Sequence, residues 1–518
     1  MNRKDMIDRI SEADNHFDVI IIGGGATGVG TAIESASRGY STLLVEQADF
    51  AQGTSSRSTK LVHGGVRYLQ QGNISLVLEA LKERGILLRN APHLVHNLPF
   101  VVPNYDWWEG PFYGIGLKLY DLLAGKEGFG SSKLISKEKT IEYIPTIETK
   151  GLNGGVIYYD GQFDDARLVI NMAQTAEDQG AVLLNYMKVT SLLISDEMVR
   201  GVVALDQETE KEYQIHAKVV INATGVFTDS VRRMDEPDCF DMITPSQGVH
   251  IVLDKSFLPG DTAIMVPHTD DGRVLFARPW HNKVIVGTTD TPVDSINLEP
   301  KPFEDELEFL ITHAARYLSK DPEKEDVLSA FAGLRPLVSV GDNKNTAAIS
   351  RDHTIMISRR GLVTIAGGKW TTYRKMAEDV IDQAAVIAQL EAKPSVTENL
   401  NIHGSHYHAE VFGELKDYGS DAIEIEHLCD EKDKYSDYLD TEFGIRTGEV
   451  VWSVQQEMTR SVEDFLARRR RILLLDARKS IQLAPSIAKI IGKELGKNRR
   501  WINNQLDQYT KLAGRYLI

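Results

Sequence analysis

A glycine-rich turn between a short apolar strand and a helix is the feature that most constrains this fold. Phe17–Ile22 is mostly apolar and β-branched, and it leads directly into a run of three glycines. A helix rich in small residues follows from 30 to 38, and a second strand, 41–45, ends at Glu46. Glycines at this spacing permit a tight turn, close approach of the backbone to a pyrophosphate, and close packing of helix on strand. The pattern predicts a dinucleotide-binding βαβ unit over 17–46; a purely structural glycine turn is the alternative.

The residues predicted to contact the dinucleotide lie at the glycine turn and at the end of the second strand. The helix N-terminus offers N–H groups and a positive dipole end to the phosphates. A carboxylate after the second strand can bind ribose hydroxyls. These residues are Gly23, Gly24, Gly25, Ala26, Thr27, Gly28 and Glu46.

Two later turns favour FAD as the dinucleotide. Val219–Gly225 is a strand that ends in small residues, and 365–372 reads as a strand, a double-glycine turn and a helix start. A helix N-terminus there could face the pyrimidine edge of a reduced flavin, which carries negative charge. Segments so far apart in the chain suit a long, deeply bound cofactor, whereas ordinary turns are the alternative. The further residues predicted to contact FAD are Val189, Ala223, Thr224, Gly225, Gly368 and Thr371.

Length, charge and cysteine content exclude several classes of protein. The chain has 518 residues, enough for roughly three domains. Its 58 Lys and Arg against 74 Asp and Glu give a net charge of −16, which disfavours nucleic-acid binding because phosphate contacts need clustered cations. The two cysteines, Cys239 and Cys429, are too few for a disulfide framework or a cysteine-rich zinc site, and we expect no metal. The N-terminus lacks the apolar core of a secretory signal, and no apolar run approaches about 18 residues, so we expect an intracellular protein without a membrane span.

The order of the predicted elements indicates an α/β fold that is followed by an antiparallel sheet and a helical region. Short alternating segments between about 245 and 350 predict an antiparallel sheet. From about 370 onward the pattern turns helical, and a polar stretch after Lys393 predicts a linker.

Several further stretches carry a resemblance to a known family. They are Thr54–Leu69, Asp164–Leu168, Gly287–Asp290, Gly333–Leu337 and Gly367–Lys375. With the glycine turn, they resemble the FAD-dependent, respiratory glycerol-3-phosphate dehydrogenases within the wider group of glycine-oxidase-like and D-amino-acid-oxidase-like flavoproteins. The match extends from about 17 to 385 and is looser beyond, and its most specific part is Thr54–Leu69, which the wider group lacks. Trp370 replaces an expected aliphatic residue, which indicates a change in packing beside Lys369.

The resemblance implies three domains. The first is a Rossmann-like FAD-binding domain of the glutathione-reductase type, made of 1–95, 150–240 and 350–392. The second is a substrate-binding cap domain with an antiparallel sheet, made of 96–149 and 241–349, and the third is a helical domain over 393–518.

The resemblance also implies the reaction, which is oxidation of sn-glycerol 3-phosphate to dihydroxyacetone phosphate with hydride transfer to FAD. Such a site needs a base, and cations for the developing alkoxide and the phosphate. His250 is the predicted general base, since an unperturbed histidine pKa of about 6.5 suits that role; a structural histidine is the alternative. Arg67 and Arg335 are predicted to bind the phosphate, Tyr68 to donate a hydrogen bond, and Lys369 to serve substrate or cofactor. The hydroxyl-rich loop is predicted to contact the flavin or its pyrophosphate through Thr54, Ser55, Ser56, Ser58 and Lys60.

The electron acceptor is less constrained by the sequence. The chain has no second nucleotide motif for NAD(P)H and no C-x-x-C pair, which leaves a quinone, dioxygen or an external carrier. The family implies a membrane quinone. An oxidase that uses dioxygen is the nearest alternative, an amine or amino-acid oxidase comes next, and a binding protein with a structural FAD is the last.

A quinone partner requires contact with a membrane surface. Residues 460–500 hold 12 Lys or Arg against four Asp or Glu, including a continuous run at Arg468–Arg471. The stretch from Trp107 to Leu123 is aromatic and apolar and is the second candidate. A solvated basic face is the alternative. We expect a cytoplasmic protein that lies at the inner face of the cytoplasmic membrane. A homodimer is a candidate oligomeric state.

Overall fold

Two sheets and a C-terminal group of helices make up the protein, whose structure is a computed structural model. The structure describes residues 1–11, 16–65, 73–106, 109–125, 128–266, 269–270, 273–338 and 352–518. Within these residues the strands are β1 His16–Ile22, β2 Thr42–Val45, β3 Leu61–Val62, β4 Val95–Asn104, β5 Lys133–Ser136, β6 Gly154–Phe163, β7 Val182–Leu184, β8 Met187–Ser195, β9 Met198–Asp206, β10 Glu212–Asn222, β11 Ile243–Asp254, β12 Ala263–Val266, β13 Leu275–Trp280, β14 Lys283–Gly287, β15 Thr291–Pro292, β16 Val327–Val338, β17 His353–Ile357, β18 Val363–Gly367, β19 Tyr438–Asp440 and β20 Ile445–Arg446.

The α-helices of the same residues connect and cover these strands. They are α1 Arg3–Ser11, α2 Ala26–Ser37, α3 Ile74–Asn90, α4 Glu109–Ala124, α5 Lys137–Tyr143, α6 Asp165–Asp178, α7 Thr228–Asp235, α8 Glu304–Ala315, α9 Tyr373–Ile387, α10 Ala422–Asp430, α11 Thr447–Gln456, α12 Ile472–Leu475, α13 Ala477–Glu494 and α14 Arg499–Ala513. None of them is long and apolar enough to cross a membrane.

The first sheet is built on the predicted βαβ unit. Its strand order is β17-β18-β10-β1-β2-β7, with the β8–β9 hairpin attached to β10. From β18 to β7 neighbouring strands run parallel, and Ile20 of β1 lies opposite Val220 of β10 and Leu43 of β2. Buried β-branched and apolar residues fill these strands because helices cover a parallel sheet on both faces. The carboxyl ends of β1, β2, β10 and β18 therefore meet at one edge, where open α/β sheets bind ligands.

The second sheet is largely antiparallel and contributes the other wall of the site. Its order is β15-β11-β14-β13-β12-β4-β6-β3, with β16 paired to β11 and β5 to β6. Along β11, Val249 and Ile251 pack with Leu310 of α8, so His250 and Val252 point to the opposite face. The predicted α/β class with an antiparallel second sheet is confirmed.

The position of β6 differs from the predicted domain boundaries. We predicted residues from 150 onward in the FAD-binding domain, yet 154–163 pairs along its full length with β4 in the second sheet. Strand pairing decides this assignment, and a buried apolar strand carries no mark in sequence of which sheet it joins.

The C-terminal helices pack directly on the second sheet. Val252, Ile285 and Phe331 form one apolar cluster with Leu473 and Ile487 of the C-terminal region. The predicted C-terminal helical domain is confirmed, and a short hairpin, β19–β20, precedes α11 within it.

The basic run Arg468–Arg471 is buried, which corrects its interpretation as a membrane-facing or solvated patch. Arg468 Nε lies 2.6 Å from Asp49 Oδ2, and Arg469 Nη2 lies 3.1 Å from Asp49 Oδ1. Arg469 itself is 0% exposed. Asp49 follows β2, so these pairs tie the C-terminal domain to the predicted dinucleotide-binding unit.

Arg471 makes a second buried junction between distant parts of the chain. Three side chains lie close enough together to coordinate a metal, those of Asp164, His281 and Asp417. The Arg471 guanidinium already lies among them, with Nε 2.5 Å from Asp164 and Nη2 2.8 Å from Asp417. Arg471 provides the positive charge that these two carboxylates need.

Candidate active site

A cavity of about 390 Å³ lies between the carboxyl edge of the first sheet and the part of the second sheet that carries His250 and Arg335. Its size falls within the range of small-molecule and cofactor sites, about 300–1,000 Å³. Four separate segments contribute to its wall: the glycine turn after β1, the hydroxyl-rich loop 52–59, the turn after β10, and the double-glycine turn after β18. Residues of β11 and β16 close it from the second sheet.

The glycine turn has the conformation that a dinucleotide site requires. Gly23 has a φ of +116°, and a Cβ on it would lie 2.6 Å from the Ala223 carbonyl oxygen. A Cβ on Gly28 would lie 1.9 Å from the Gly23 carbonyl oxygen, so Gly28 permits the packing of α2 on β1. Gly23, Gly25, Ala26 and Thr27 line the cavity, whereas Gly24 and Gly28 do not.

Glu46 reaches the cavity from the end of β2. Its carboxylate accepts hydrogen bonds from the backbone N–H groups of Gly24, at 2.6 Å, and Ala48, at 2.8 Å. Burial raises the pKa of Glu46, and these two N–H groups oppose that change. The same carboxylate therefore fixes the glycine turn and faces the cavity.

The hydroxyl-rich loop contributes three of its predicted residues to the cavity. Thr54 donates to the Leu334 carbonyl at 2.5 Å, and Ser55 Oγ accepts from the Ala26 N–H at 2.9 Å, which caps α2. Both residues and Ser58 line the cavity. Ser56 does not line it.

Lys60 does not line the cavity either, which corrects its prediction as a cofactor ligand. Its ammonium is fully buried and lies 2.7 Å from Asp165 Oδ2, which also accepts from the Ser58 hydroxyl at 2.7 Å. Burial lowers the pKa of Lys60, and Asp165 opposes the shift. Lys60 thus fastens the loop to α6.

Trp370 braces the same loop from the other side. Its indole Nε1 donates to the Ser55 carbonyl at 3.0 Å, and its ring meets Phe163 edge to face at 4.9 Å. An aliphatic residue could not make this hydrogen bond, so the departure from the family pattern gives an added contact between two walls of the cavity.

The remaining residues predicted to contact the cofactor lie near the start of β8 and directly after β10 and β18. Gly368 has a φ of +73°, and a Cβ there would lie 2.5 Å from Met376 Sδ, so the turn after β18 requires glycine. All of these residues line the cavity: Val189, Ala223, Thr224, Gly225, Gly368 and Thr371.

His250 lines the cavity from β11 and is buried. Its Nε2 lies 3.1 Å from Thr59 Oγ1, and its ring stacks on Phe331 at 5.0 Å. Gly287 lies opposite, where a Cβ would approach the imidazole to 2.1 Å. Burial, with the charges of Arg278 and other cations nearby, lowers the pKa of His250 well below its usual range. The assumption of an unperturbed pKa is therefore wrong, and the imidazole is neutral at pH 7.

Arg335 lines the cavity from β16 and is already oriented. Its guanidinium lies 3.2 Å from Asp290 Oδ1, and Nη2 donates to the Thr289 carbonyl at 2.9 Å. A Cβ on Gly248 would lie 2.4 Å from Nη2, so the neighbouring strand leaves space for the side chain. Asp290 balances part of its charge while the fork stays at the cavity wall.

Lys369 also lines the cavity, directly after the double-glycine turn. The structure therefore brings His250, Arg335 and Lys369 to one space from three strands that are far apart in the chain. Arg67 and Tyr68 lie outside the described residues.

Sequence reasoning missed Arg278 of β13. Its guanidinium is fully buried, and none of its three nitrogens has a hydrogen-bond partner within the described residues. Burial lowers the pKa of Arg278 to about 9, so it remains a cation at neutral pH. The available signal is an arginine in an otherwise apolar strand, between Ala277 and Pro279.

Sequence reasoning also missed a contact that closes one side of the cavity. Arg57 Nη1 donates to the Leu298 carbonyl at 2.5 Å, and its other nitrogen pairs with Glu299. Tyr516, near the C-terminus, donates to the same carboxylate at 3.0 Å. Arg57 and Leu298 line the cavity, and the signal for Arg57 was its place in the resembling stretch.

These features fit FAD. Gly23 and Gly25 leave the backbone bare at the cavity wall, as contact with a pyrophosphate requires, and Glu46 lines the same wall, where a carboxylate can bind ribose hydroxyls. The turns after β10 and β18 extend the same cavity toward His250.

Two family models match the chain. One, described as FAD dependent oxidoreductase, covers residues 18–374. The other, described as C-terminal domain of alpha-glycerophosphate oxidase, covers residues 363–501. The first match confirms the prediction of FAD as cofactor.

Curated relatives are similar over nearly the whole chain. The mitochondrial glycerol-3-phosphate dehydrogenase of Rattus norvegicus is 41% identical over 538 residues, which cover 97% of this chain and 73% of that protein. The mitochondrial enzyme of the same name from Schizosaccharomyces pombe is 38% identical, with 97% of this chain and 87% of that protein covered.

Solved structures share the fold. A glycerol-3-phosphate dehydrogenase from Bacillus halodurans, complexed with FAD, matches with a TM-score of 0.82 and 29% identity, covering 100% of this chain and 98% of that one. The L-alpha-glycerophosphate oxidase from Mycoplasma pneumoniae matches with a TM-score of 0.57 and 18% identity, covering 75% and 99%, and shows the fold alone.

Proposed function

The chain belongs to the FAD-dependent glycerol-3-phosphate dehydrogenases, and from this premise we propose that it oxidises sn-glycerol 3-phosphate to dihydroxyacetone phosphate and passes the electrons to a membrane quinone. The observation that carries the proposal is one cavity that joins the dinucleotide turn to His250, Arg335 and Lys369. A neutral base and two cations are what a phosphorylated secondary alcohol requires.

Arg335 and Lys369 bind and orient the substrate. A guanidinium fork suits two phosphate oxygens, and Lys369 adds a point charge. Asp290 and Thr289 hold the fork in place, so less side-chain freedom is lost when the substrate binds.

His250 takes the hydroxyl proton. Because its pKa is lowered by burial and nearby cations, the ring is neutral and able to accept a proton at pH 7. Thr59 Oγ1 can accept the Nε2–H, which makes Nδ1 the basic atom. FAD, when bound, supplies the acceptor for the hydride that leaves the substrate carbon.

An anaerobic visible spectrum of the purified protein tests this function. We expect the flavin band to bleach with glycerol 3-phosphate and to persist with glycerol or a D-amino acid. A flavin that does not bleach with glycerol 3-phosphate would contradict the assignment and favour the amine-oxidase alternative.

Variants of Arg335 test the site itself. Arg335→Ala should raise the KM for glycerol 3-phosphate sharply or abolish turnover, with unchanged FAD content. Arg200→Ala is the matched control, since the half-exposed Arg200 of β9 donates to the Lys218 carbonyl at 2.7 Å and does not line the cavity. Equal kinetics of both variants would remove Arg335 from the site.

An oxidase is the second candidate function. The family model that matches 363–501 is described as the C-terminal domain of alpha-glycerophosphate oxidase, and this description favours an oxidase. The curated relatives named above are dehydrogenases, which favours the quinone. Reoxidation of the bleached flavin by air, compared with a quinone analogue, separates the two.

Helix α4 supports contact with a membrane. Ile115, Leu119 and Leu122, which we name the apolar face of α4, are 74%, 44% and 77% exposed. They recur at helical spacing on one side, and the opposite residues Tyr113 and Leu117 are buried. A helix with such a face can lie in the headgroup region without spanning the bilayer. We infer peripheral contact through this helix with the inner face of the cytoplasmic membrane.

A further inference from the structure

Arg278 is a buried cation to which the proposed function assigns no role. It lies in the middle of β13, its side chain is 0% exposed, and none of its guanidinium nitrogens has a hydrogen-bond partner within the described residues. Its charge persists at neutral pH, as its pKa shows. An unpaired charge in a protein interior lowers the free energy of unfolding, because the solvation lost on burial is not replaced. Departures of this kind from good packing are expected at functional sites.

The register of the second sheet places Arg278 on the same face as His250. Arg278 lies opposite Ile285 of β14, which in turn lies opposite Val252 of β11. His250 is two residues from Val252 on the same strand, so the two side chains point the same way. Gly287, which lies opposite His250 on β14, has no side chain to separate the imidazole from β13. Arg278 and His250 therefore share one face of the sheet, two strands apart.

The other cations close to His250 have carboxylates of their own. The Lys60 ammonium lies 2.7 Å from Asp165 Oδ2, and the Arg335 guanidinium lies 3.2 Å from Asp290 Oδ1. The opposite charges of such a pair largely cancel at a distance. The guanidinium of β13 has no such partner in the part of the chain that the structure describes, so its charge is not cancelled.

Asp165 has no acceptor site left for Arg278. Its two oxygens accept from the Lys60 ammonium, from the hydroxyl and the backbone N–H of Ser58, and from the backbone N–H of Ala166. These bonds occupy the roughly four lone-pair sites that a carboxylate offers. The Lys60–Asp165 pair is neutral as a whole, so Arg278 leaves one net positive charge in this buried cluster.

Three described cations act on the His250 imidazole. Burial is the first cause of its lowered pKa, followed by the charges of Arg278 from β13, Lys60 from the loop before β3, and Arg335 from β16. The unpaired cation therefore has the largest electrostatic effect. The other ionisable groups that line the cavity are Glu46, Arg57, His63, Lys188 and Lys369.

We propose that Arg278 is a positioning residue for the proton transfer: its unpaired buried charge keeps His250 in the neutral form that accepts the substrate hydroxyl proton, also at acidic pH. This inference rests on the proposed function. In each turnover the substrate loses that proton to His250 and a hydride to FAD, and the proton must then leave His250 for solvent. A nearby cation disfavours the imidazolium, so it also favours this release.

The pH dependence of kcat/KM for glycerol 3-phosphate tests the inference, with a soluble redox dye as electron acceptor. Arg278→Met removes the charge and keeps an unbranched apolar stem. We expect the acid limb of the profile to move up by about one pH unit or more, because burial alone then lowers the pKa of His250 together with the two paired cations. The substrate phosphate titrates in the same range, but equally for every protein, so a comparison between proteins cancels it.

Arg278→Lys is the matched control. It keeps a cation on β13 that is protonated at the acid end of the profile, and it should retain the acid limb of the unmodified enzyme. FAD content should be equal in all three proteins. Arg278→Met should be at least as stable as the unmodified protein in chemical denaturation, since an apolar side chain replaces an unpaired buried charge. A loss of stability with an unchanged pH profile would show a structural role and overturn the inference.

The unmodified holoenzyme provides a measurement that needs no variant. After correction for the substrate phosphate, the acid limb of kcat/KM should lie below about pH 5.5, at least one unit under the ordinary histidine value of about 6.5. An acid limb at the ordinary value would overturn the inference. Equal profiles of Arg278→Met and the unmodified enzyme would do the same, as would an Arg278→Lys profile that follows the Met variant. A flavin that does not bleach with glycerol 3-phosphate would instead contradict the proposed function.

Discussion

The basic run Arg468–Arg471 and the apolar face of α4 differ in what surrounds them. In the basic run every arginine is buried, and Asp49, Asp164 and other carboxylates supply the opposing charge. On α4, three large apolar side chains point away from the core. From the sequence both stretches were candidates for the same membrane surface.

The difference shows how local composition misleads at domain junctions. A run of four arginines has the charge of a lipid-binding patch when counted alone. Its partner Asp49 lies more than 400 positions away in the chain, so no short stretch of sequence contains both the arginines and this carboxylate. The apolar residues of α4 recur at helical spacing, a local pattern, and local patterns survive folding more readily.

The largest expected effect comes from breaking the buried junction. Arg469→Ala leaves the Asp49 carboxylate without one of its two cations in a dry interface, and we expect a loss of about 3–5 kcal/mol in the free energy of unfolding. Chemical denaturation followed by circular dichroism measures it. Arg500→Ala, at an exposed position of α14, is the control and should change stability by less than about 0.5 kcal/mol. An equal, small loss in both variants would contradict a buried network.

The next effect concerns the apolar face of α4. The double variant Leu119→Ser with Leu122→Ser should weaken binding to lipid vesicles by about 2 kcal/mol, roughly thirtyfold, because each leucine buries its remaining exposed area in lipid. Co-sedimentation with vesicles measures the affinity. Thermal stability should be unchanged since both side chains already face solvent. Unaltered vesicle binding would eliminate α4 as the docking surface.

A second contact between the C-terminal region and the first sheet's helices is pH-sensitive, unlike the arginine pairs: His403 lies between Asp178 and Asp421. Burial lowers the pKa of His403, but hydrogen bonds to Asp178 and Asp421 outweigh it and raise the pKa to about 9. A raised pKa stabilises the fold fully below about pH 6.5, and this contribution is lost as the pH rises through 9. We expect on the order of 1–2 kcal/mol after allowance for partial exposure. His403→Gln should remove this part of the decline between pH 6.5 and 9 in denaturation curves; an identical decline in both proteins would refute the assignment.

The smallest effect tests which surface faces anionic lipid. Lys118 is exposed on α4, and Lys118→Gln should weaken binding to anionic vesicles by about 1 kcal/mol, roughly fivefold, with no change for neutral vesicles. Lys489→Gln, in the basic segment 460–500, is the control. A larger effect from Lys489 than from Lys118 would reverse the comparison and return docking to the C-terminal domain.

The residues of the candidate site also fall into two groups: those that the local sequence identifies and those that depend on distant segments. The glycine turn, Glu46 and the turns after β10 and β18 could be placed in one site from sequence, because each follows a strand whose end is locally marked. Lys60 could not be excluded, since its partner Asp165 lies on a helix more than 100 positions away. The lowered pKa of His250 was also unpredictable, because it depends on burial and on the distant Arg278.

The sequence by itself determined the βαβ unit, FAD as the cofactor and the family, since these depend on short-range spacing of glycines and apolar residues. Only the tertiary structure decided that β6 joins the second sheet, that Arg468–Arg471 is buried, and that Arg278 shares a face of the second sheet with His250. The physical reason is that burial and charge pairing depend on which distant segments fold together. A side chain of the same chemistry is solvated in one neighbourhood and forms a core contact in another.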